Sequence, residues 1–419
     1  MFIERSSGRI RFARMVFVLA GLVPCAGLVA WAVHLRSAAH RESLRAEWQR
    51  AVGVPLEVDA VEHPRPGVVR ARGCRVVAPD GGRLTLPVVE VETAPGEVRL
   101  RIDRLVCDAA AARLLGAVVA EWLGREVRYP KDCVVEVGSF AWSNEAAAAA
   151  PGLRAECVTR DGTRAVRVVR AAGAEGAEGR GDELRVVRTP ADEGTADDRV
   201  EVELTATEPL PLAIVAGALG RNGPALGAEA TVAGTVQAVR EDGRWSGTAA
   251  GRIDAIDLAA CTAGMQARAT GVAAAVVRRL AWSRGRIRDA EIECTAGRGR
   301  VEQRLLDGLV STVGCRPGPA QRTLAGNPER TFDAAGCLLR LDGRGVEIVS
   351  GANLGGALAV VDGIALVDPP GTVLPAERLA WLLAPPGAVF VPSGGPGAWL
   401  LDVMPRAEQA TRPGLPGGF

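Results

Sequence analysis

The chain has 419 residues, and its 50 lysine and arginine residues nearly balance its 49 aspartate and glutamate residues, for a formal net charge of +1. This balance indicates neither a polycationic nucleic-acid-binding protein nor an acidic tail, so we expect no nucleic-acid partner. Aromatic residues make up 4% of the sequence, so an interior has to be built from valine, leucine, isoleucine and alanine. The length exceeds that of one typical domain, although a repetitive β architecture can reach it.

Few residues have the chemistry of a catalytic or metal site. All three histidines, His34, His40 and His63, lie near the N-terminus, which leaves most of the chain without an imidazole for metal binding or general-base catalysis. The nine cysteines include no C-x-x-C pair. The sequence also has no P-loop, no nucleophile elbow and no H-E-x-x-H motif. We therefore expect no enzyme activity, no catalytic residues, no metal and no cofactor.

Two other groups of side chains bear on function. Carboxylates alternate with apolar residues and are expected on a solvated strand face, and a hydrolase built on two of them would need a deep polar cleft with a perturbed acid pair. The cysteines either form disulfides or remain buried thiols. The candidates for pairing are Cys74, Cys107, Cys133 and Cys157.

The N-terminal part of the chain predicts a membrane anchor. Met15 to Val33 is an apolar run without a charged residue, long enough to span the roughly 30 Å hydrocarbon core of a bilayer as a helix. The arginine-rich segment 1–14 favours a cytoplasmic N-terminus, with a transmembrane helix over 15–35 and a juxtamembrane helix over 36–52. A cleaved signal peptide is the alternative, although its apolar core is usually shorter than this run.

From Gly53 onward, apolar residues alternate with polar ones at the period of a β-strand. Short segments of this kind are separated by Pro/Gly turns, which predicts an antiparallel meander with one apolar and one polar face. Asp108 is the predicted N-cap of a helix inserted among these strands. The predicted regions are a first β region over 53–170 with its inserted helix at 109–123, a flexible loop over 171–198, a second β region with short helices over 199–384, and a Pro/Gly-rich tail over 385–419.

The order of these features resembles the AsmA-like family of bacterial envelope proteins. The likeness rests on one N-terminal span and a short helix, followed by Gly53-Val54-Pro55-Leu56-Glu57-Val58 and a V-x-x-P-D-G turn ending at Gly81. The segments G-R-W-S-G-T at 243–248 and G-R-I-D at 251–254 extend it to about residue 295. The resemblance implies an inner-membrane anchor, a long curved β-sheet that forms a groove, and a link to outer-membrane biogenesis or to phospholipid movement.

The predicted fold is mainly β: a transmembrane helix, then an elongated, curved antiparallel sheet with a few short packing helices. Its aliphatic face is either covered by a second layer, as in a sandwich, or left partly open as a trough that buries acyl chains at about 0.8 kcal/mol per methylene. The resemblance favours the trough. The candidate lipid-facing residues are Val54, Leu56, Val58, Val89, Val91, Val98, Leu100, Ile102, Val200, Val202 and Leu204.

The function expected from the resemblance is to bind or conduct lipid, or to support envelope assembly, without catalysis. The alternative is a membrane-tethered β-sandwich scaffold or protein-interaction module that binds no lipid. The expected location is the inner membrane, with a single span, the N-terminus inside and the body in the periplasm. The expected partners are the bilayer, phospholipid in the groove, and envelope proteins or further copies of the chain, since one copy is too short to bridge a periplasm.

Overall fold

The structure is a computed structural model. It describes residues 7–52, 55–77, 83–124, 132–142, 150–170, 181–191, 197–218, 226–263, 265, 267–323, 328–382 and 396–404. Strand accounts for 53% of it and helix for 28%. The protein is therefore mainly β, as the sequence predicts.

The N-terminal helix is exposed over nearly all of its length, and from Met15 to Val33 it carries no charged residue. It comprises α1 (Ser7–Phe17), a π-helical turn (Val18–Leu22) and α2 (Val23–Leu35). The π turn directly precedes Pro24, which has no N–H to donate and whose ring clashes with the preceding turn, so the helix widens there. Its 25 residues from Arg11 to Leu35 are long and apolar enough to cross a membrane.

A second helix, α3 (Ala38–Val52), attaches this N-terminal helix to the β body. Ser37 is its N-cap, since its Oγ accepts the backbone N–H of His40 at 3.2 Å. Arg45 Nε donates to the carbonyl oxygen of Leu56 at 2.8 Å, and Trp48 packs against buried residues of the sheet. The helix is thus held to the body by its side chains as well as by chain continuity.

The remaining elements are strands connected by short helices. The strands are β1 (Leu56–Glu57), β2 (Ala60–Arg65), β3 (Val68–Val77), β4 (Arg83–Ala94), β5 (Glu97–Val106), β6 (Asp132–Ala141), β7 (Ala150–Arg160), β8 (Thr163–Arg170), β9 (Glu183–Thr189), β10 (Arg199–Pro211), β11 (Thr231–Glu241), β12 (Arg244–Asp257), β13 (Ala269–Thr270), β14 (Val272–Ser283), β15 (Arg286–Ala296), β16 (Gly299–Glu302), β17 (Arg316–Pro317), β18 (Glu329–Phe332), β19 (Ala334–Asp342), β20 (Gly345–Ser350), β21 (Ala359–Val361) and β22 (Ile364–Asp368). The helices are α4 (Ala109–Gly124), α5 (Leu212–Ala218), α6 (Leu258–Thr262), α7 (Gln303–Gly308), α8 (Pro319–Thr323), α9 (Glu377–Leu382) and α10 (Pro396–Val403), with a second π turn at Leu309–Val313.

Nineteen strands form one curved sheet, and β13, β16 and β18 form a small second one. In the large sheet, pairing runs without a break from β3 to β12 and on through β14, β15, β19 and β20. The predicted curved sheet is therefore confirmed. One pair differs from the predicted antiparallel order, because α4 crosses over between β5 and β6 and makes them parallel.

The two faces of this sheet differ in chemistry. On one face, Glu90, Arg101, Glu136 and Arg154 stand opposite one another across β4 to β7. Arg101 Nε donates to Glu136 Oε2 at 3.2 Å, and Arg185 pairs with Glu203 at 3.4 Å further along the sheet. Exposed pairs of this kind each contribute less than about 1 kcal/mol. Their main effect is to make this face of the sheet polar and hydrated.

Two separate hydrophobic clusters lie on the structure, one toward each end of the large sheet. The first cluster is Leu56, Ala71, Cys74, Val76, Leu84, Leu86, Val89, Val91, Leu105, Cys107, Ala111, Ala112, Leu114, Val137, Phe140 and Ile214. The second cluster is Ala290, Val301, Leu306, Val313, Cys315, Ala320, Phe332, Leu341, Val346, Ile348, Ala359, Leu366, Val367, Leu374, Ala376 and Met404. Helix α4 supplies part of the first cluster, and α7 supplies Leu306 to the second.

Two predicted regions differ from what the structure shows. The stretch expected as a flexible loop, 171–198, contains β9, which pairs with both β8 and β10. The Pro/Gly-rich tail contains α10, and the adjacent Met404 is buried in the second cluster. In both places tertiary pairing and packing outweigh the local composition. Residues 171–180, 192–196, 383–395 and 405–419 lie outside the described part of the chain.

The predicted helix 109–123 is confirmed as α4, and both of its ends are satisfied by side chains. Asp108 Oδ1 accepts the backbone N–H of Ala111 at 2.7 Å. At the other end, the buried Arg164 donates Nη1 to the carbonyl oxygens of Trp122 at 2.8 Å and Leu123 at 3.1 Å. Arg164 thereby fixes the end of α4 on β8, where a cation also favours the negative end of the helix dipole.

Replacing Arg164 by methionine is expected to lower the free energy of unfolding by about 1–3 kcal/mol, because the carbonyl oxygen of Trp122 loses its donor and that of Leu123 keeps only the bond from Arg188. Urea unfolding followed by tryptophan fluorescence would measure the loss. The matched control is Arg160→Met on the preceding strand, where the side chain is exposed. Its effect should stay within about 0.5 kcal/mol. Equal effects in the two variants would show that Arg164 does not fix the helix.

Candidate functional site

One line of aliphatic side chains crosses the large sheet from β4 to β20. We call these residues the aliphatic row, because each stands directly opposite the next on a neighbouring strand and all therefore share one face. The aliphatic row is Val91, Leu100, Val135, Ala155, Val168, Leu184, Leu204, Val236, Ala249, Leu280, Ala290, Leu341 and Val346.

The two ends of the aliphatic row are packed. Val91 is 8% exposed within the first cluster, and Leu100 and Val135 pack against that cluster. At the other end, Ala290 and Val346 are 1% and 0% exposed within the second cluster. These parts of the row are therefore interior, and they hold the sheet to its covering helices.

The middle of the row is different. Strands β8 to β12 contribute no side chain to either cluster among the residues that the structure describes. A second line, Val186 and Val202, stands beside the row on the same strands and the same face. We call the half-buried residues Leu184, Val186, Val202, Leu204, Val236 and Ala249 the middle face. It is an aliphatic surface outside both clusters, and beside it on the same face Val166, Ala206 and Ala238 are buried.

The middle face is aliphatic and extends across several strands. Its residues lie on the four strands β9 to β12, which are spaced by about 4.8 Å, so the surface extends for about 14 Å across them. Gly247 and Ala238 stand side by side next to it, and the ring of Trp282 lies against Gly247. No charged residue is part of the middle face. Its nearest neighbours in the strand register include Arg188 on β9 and Arg240 on β11, which both stand opposite Val200.

The structure divides the predicted lipid-facing residues into two groups. Val54 lies outside the described residues. Leu56, Val89 and Val91 are buried in the first cluster, and Val58, Val98, Leu100 and Ile102 pack against it. Val200, Val202 and Leu204 are half-buried on β10. Two of the predicted residues, Val202 and Leu204, thus belong to the middle face.

Sequence reasoning missed four residues of the middle face: Leu184, Val186, Val236 and Ala249. Val236 could have been found, because it alternates with polar residues in T-V-Q-A-V at 235–239 just as Leu204 does on β10. Leu184 and Val186 could not, because their strand follows a Gly/Ala/Glu-rich segment that has the composition of a loop.

The nine cysteines are all free thiols. Cys133 stands opposite Cys157 across β6 and β7, and burial raises the pKa of these thiols to about 11 and about 12. Cys294 stands opposite Cys337 across β15 and β19, and their hydrogen bond lowers the pKa of Cys294 and raises that of Cys337. These pairs are placed for cross-strand contact, whereas Cys74 and Cys107 are buried thiols of the first cluster.

The folded state is expected to lose stability as the pH rises above about 9. Burial raises the pKa of Cys107 to about 12 from an ordinary 9.0, so its thiol ionises in the unfolded chain before it does in the folded one. Each such thiol contributes at most about 1.4 kcal/mol per pH unit over that interval. The chain has one tyrosine and one lysine, so few other groups titrate there. Thermal unfolding midpoints from pH 7 to pH 11 would measure the fall, and Cys107→Ala should make it shallower. A flat profile would contradict the prediction.

Comparison of the chain with models of protein families, with curated proteins and with solved structures found no match.

Proposed function

We propose that this protein is a membrane-anchored, non-enzymatic envelope protein of the AsmA-like kind, which binds or conducts lipid on the middle face of its sheet. The observation that supports the proposal is the aliphatic row, which continues across the sheet while only its ends belong to hydrophobic clusters. Apolar surface outside a core is costly in water unless a ligand or partner covers it. Acyl chains are the ligand that an aliphatic surface without polar groups suits best.

The chemistry of the middle face favours sliding as well as binding. Each ligand methylene that the surface removes from water contributes about 0.8 kcal/mol to the binding free energy, and this contribution does not depend on the orientation of the chain. Leu184, Leu204 and Val236 stand on consecutive strands, so neighbouring positions along the row are similar. A hydrocarbon chain can therefore shift across the strands without breaking a hydrogen bond. A carrier that conducts lipid needs such a surface.

The N-terminal helix supports the membrane location in this proposal. The helix from Arg11 to Leu35 is long and apolar enough for a single span, and α3 attaches it to the body through Trp48 and Arg45. We propose that the span lies in the inner membrane with the N-terminus in the cytoplasm and the body in the periplasm. Reporter fusions at each end of the chain would test this orientation, since a cytoplasmic C-terminus would contradict it.

Site-specific photo-crosslinking would test lipid binding directly. A photoreactive amino acid in place of Leu204 is expected to form a covalent adduct with lipid, detected by mass spectrometry of the intact full-length chain. The matched control is the same substitution at Gln237, which is exposed on the other face of the adjacent strand. The anchor is identical in both chains, so lipid bound around the span contributes equally. Equal adducts at both positions, or none at Leu204, would contradict lipid binding and leave a scaffold or protein-interaction role.

A further inference from the structure

The three histidines of the chain come together at the joint between the anchor and the body. His34 lies near the end of α2, His40 in the first turn of α3, and His63 on β2. The ring centroids of His34 and His40 are 5.3 Å apart, and those of His40 and His63 are 5.2 Å apart. Three separate elements thus bring every imidazole of the protein to one place.

The closest contact in this group joins two nitrogen atoms. His40 Nε2 and His63 Nε2 are 3.1 Å apart. Two imidazole nitrogens bound to one tetrahedral Zn²⁺ at about 2.0–2.1 Å lie about 3.3 Å apart. The two nitrogens therefore already stand within a few tenths of an ångström of the separation that one metal ion would impose.

We propose that His40 and His63 form a two-imidazole site for a borderline divalent cation of the Zn²⁺ or Ni²⁺ class. Imidazole is a preferred ligand of these ions. Within the described residues no group of three or more histidine, cysteine, aspartate or glutamate side chains is arranged to hold a metal ion. Water would therefore complete the coordination, and His34 is a neighbouring ring rather than a ligand.

A cation bound here would clamp the body to the anchor. His40 belongs to the helix that continues from the membrane span, and His63 belongs to a strand at the edge of the sheet, paired with β3. Both side chains are half-buried and reachable from solvent. The metal would thus fix the orientation of the sheet relative to the anchor. This proposal does not depend on whether the middle face binds lipid.

Zinc titration of the full-length chain tests the site, with the protein purified in detergent without a polyhistidine tag and stripped with a chelator. Zn²⁺ alone is the probe, followed by calorimetry and by the thermal unfolding midpoint. We expect one saturable site whose affinity falls at least about tenfold in His40→Ala and in His63→Ala. Zn²⁺ should raise the unfolding midpoint of the wild type but not that of these variants.

Two further variants separate metal binding from structure. His34→Ala is the matched control, because it removes a neighbouring imidazole and keeps both ligands, so its affinity should equal that of the wild type. His63→Gln keeps a polar side chain of similar reach to Nε2 and should still lose the metal. The proposal is overturned if the wild type shows no saturable binding up to millimolar Zn²⁺, if both alanine variants bind normally, or if His34→Ala loses binding as they do.

Discussion

Replacing Leu204 by aspartate is expected to reduce the lipid that co-purifies with the body by about tenfold or more while the sheet stays folded. Leu204 stands between Leu184 and Val236 on neighbouring strands, so a carboxylate there would face any hydrocarbon laid along the row. Burial of a leucine side chain is worth about 1.5–3 kcal/mol, and 1.4 kcal/mol is a factor of ten in affinity. The cost of desolvating the charge adds to this loss.

The control for this substitution is Gln237→Asp on β11. Gln237 is opposite Glu203 on the other face of the sheet and is exposed, so the change adds the same charge to the same part of the sheet without touching the middle face. Lipid per chain, measured by extraction and mass spectrometry, should match that of the wild type. Lipid around the anchor is common to all chains and sets the baseline.

A second substitution on the middle face keeps the test valid if the Leu204→Asp variant misfolds. Val236→Asp should give the same loss of lipid as Leu204→Asp, and circular dichroism should show the wild-type strand content in both. If both variants kept their lipid, the middle face would not be the binding surface. If Gln237→Asp lost as much as they do, the effect would be one of charge alone, and the proposed function would need another surface.

Local pattern predicted many of the strands and α4, though not β9, because alternation at period two and an N-cap such as Asp108 act over a few residues. It could not place α4 over the sheet. Val98 and Leu100 on β5 alternate in the same way as Val202 and Leu204 on β10. The first two pack against the first cluster and the other two are half-buried on the middle face, since packing depends on contacts between distant residues.

The joint between the N-terminal helix and the β body shows the same limit. The sequence places His34, His40 and His63 near the anchor, but their meeting depends on how β2 returns beside α3. Nothing within the local periodicity specifies that return. The pairing of β2 with β3 and the bond from Arg45 to Leu56 decide it. Features that join distant segments are therefore the part of the candidate sites that the sequence leaves open.

Leu114→Ala is expected to lower the free energy of unfolding of the first half of the sheet by about 2–5 kcal/mol, the usual cost of removing a fully buried leucine side chain. Leu114 is 2% exposed in the first cluster, on the helix that covers β4 to β6. Leu306→Ala, at the same 2% exposure in the second cluster, should have a similar cost at the other end. Hydrogen exchange with mass spectrometry would locate the two losses.

The two variants also test whether the middle of the sheet is packed. Because the clusters share no residue, local opening at one end should leave the other protected. Leu114→Ala should speed exchange in β3 to β6 and α4 but not in β19 to β22, and Leu306→Ala should do the reverse. Val119→Ala on the half-buried side of α4 should cost less than Leu114→Ala. If either leucine variant speeds exchange throughout the sheet, one continuous core joins the two ends, and an open middle face is ruled out with it.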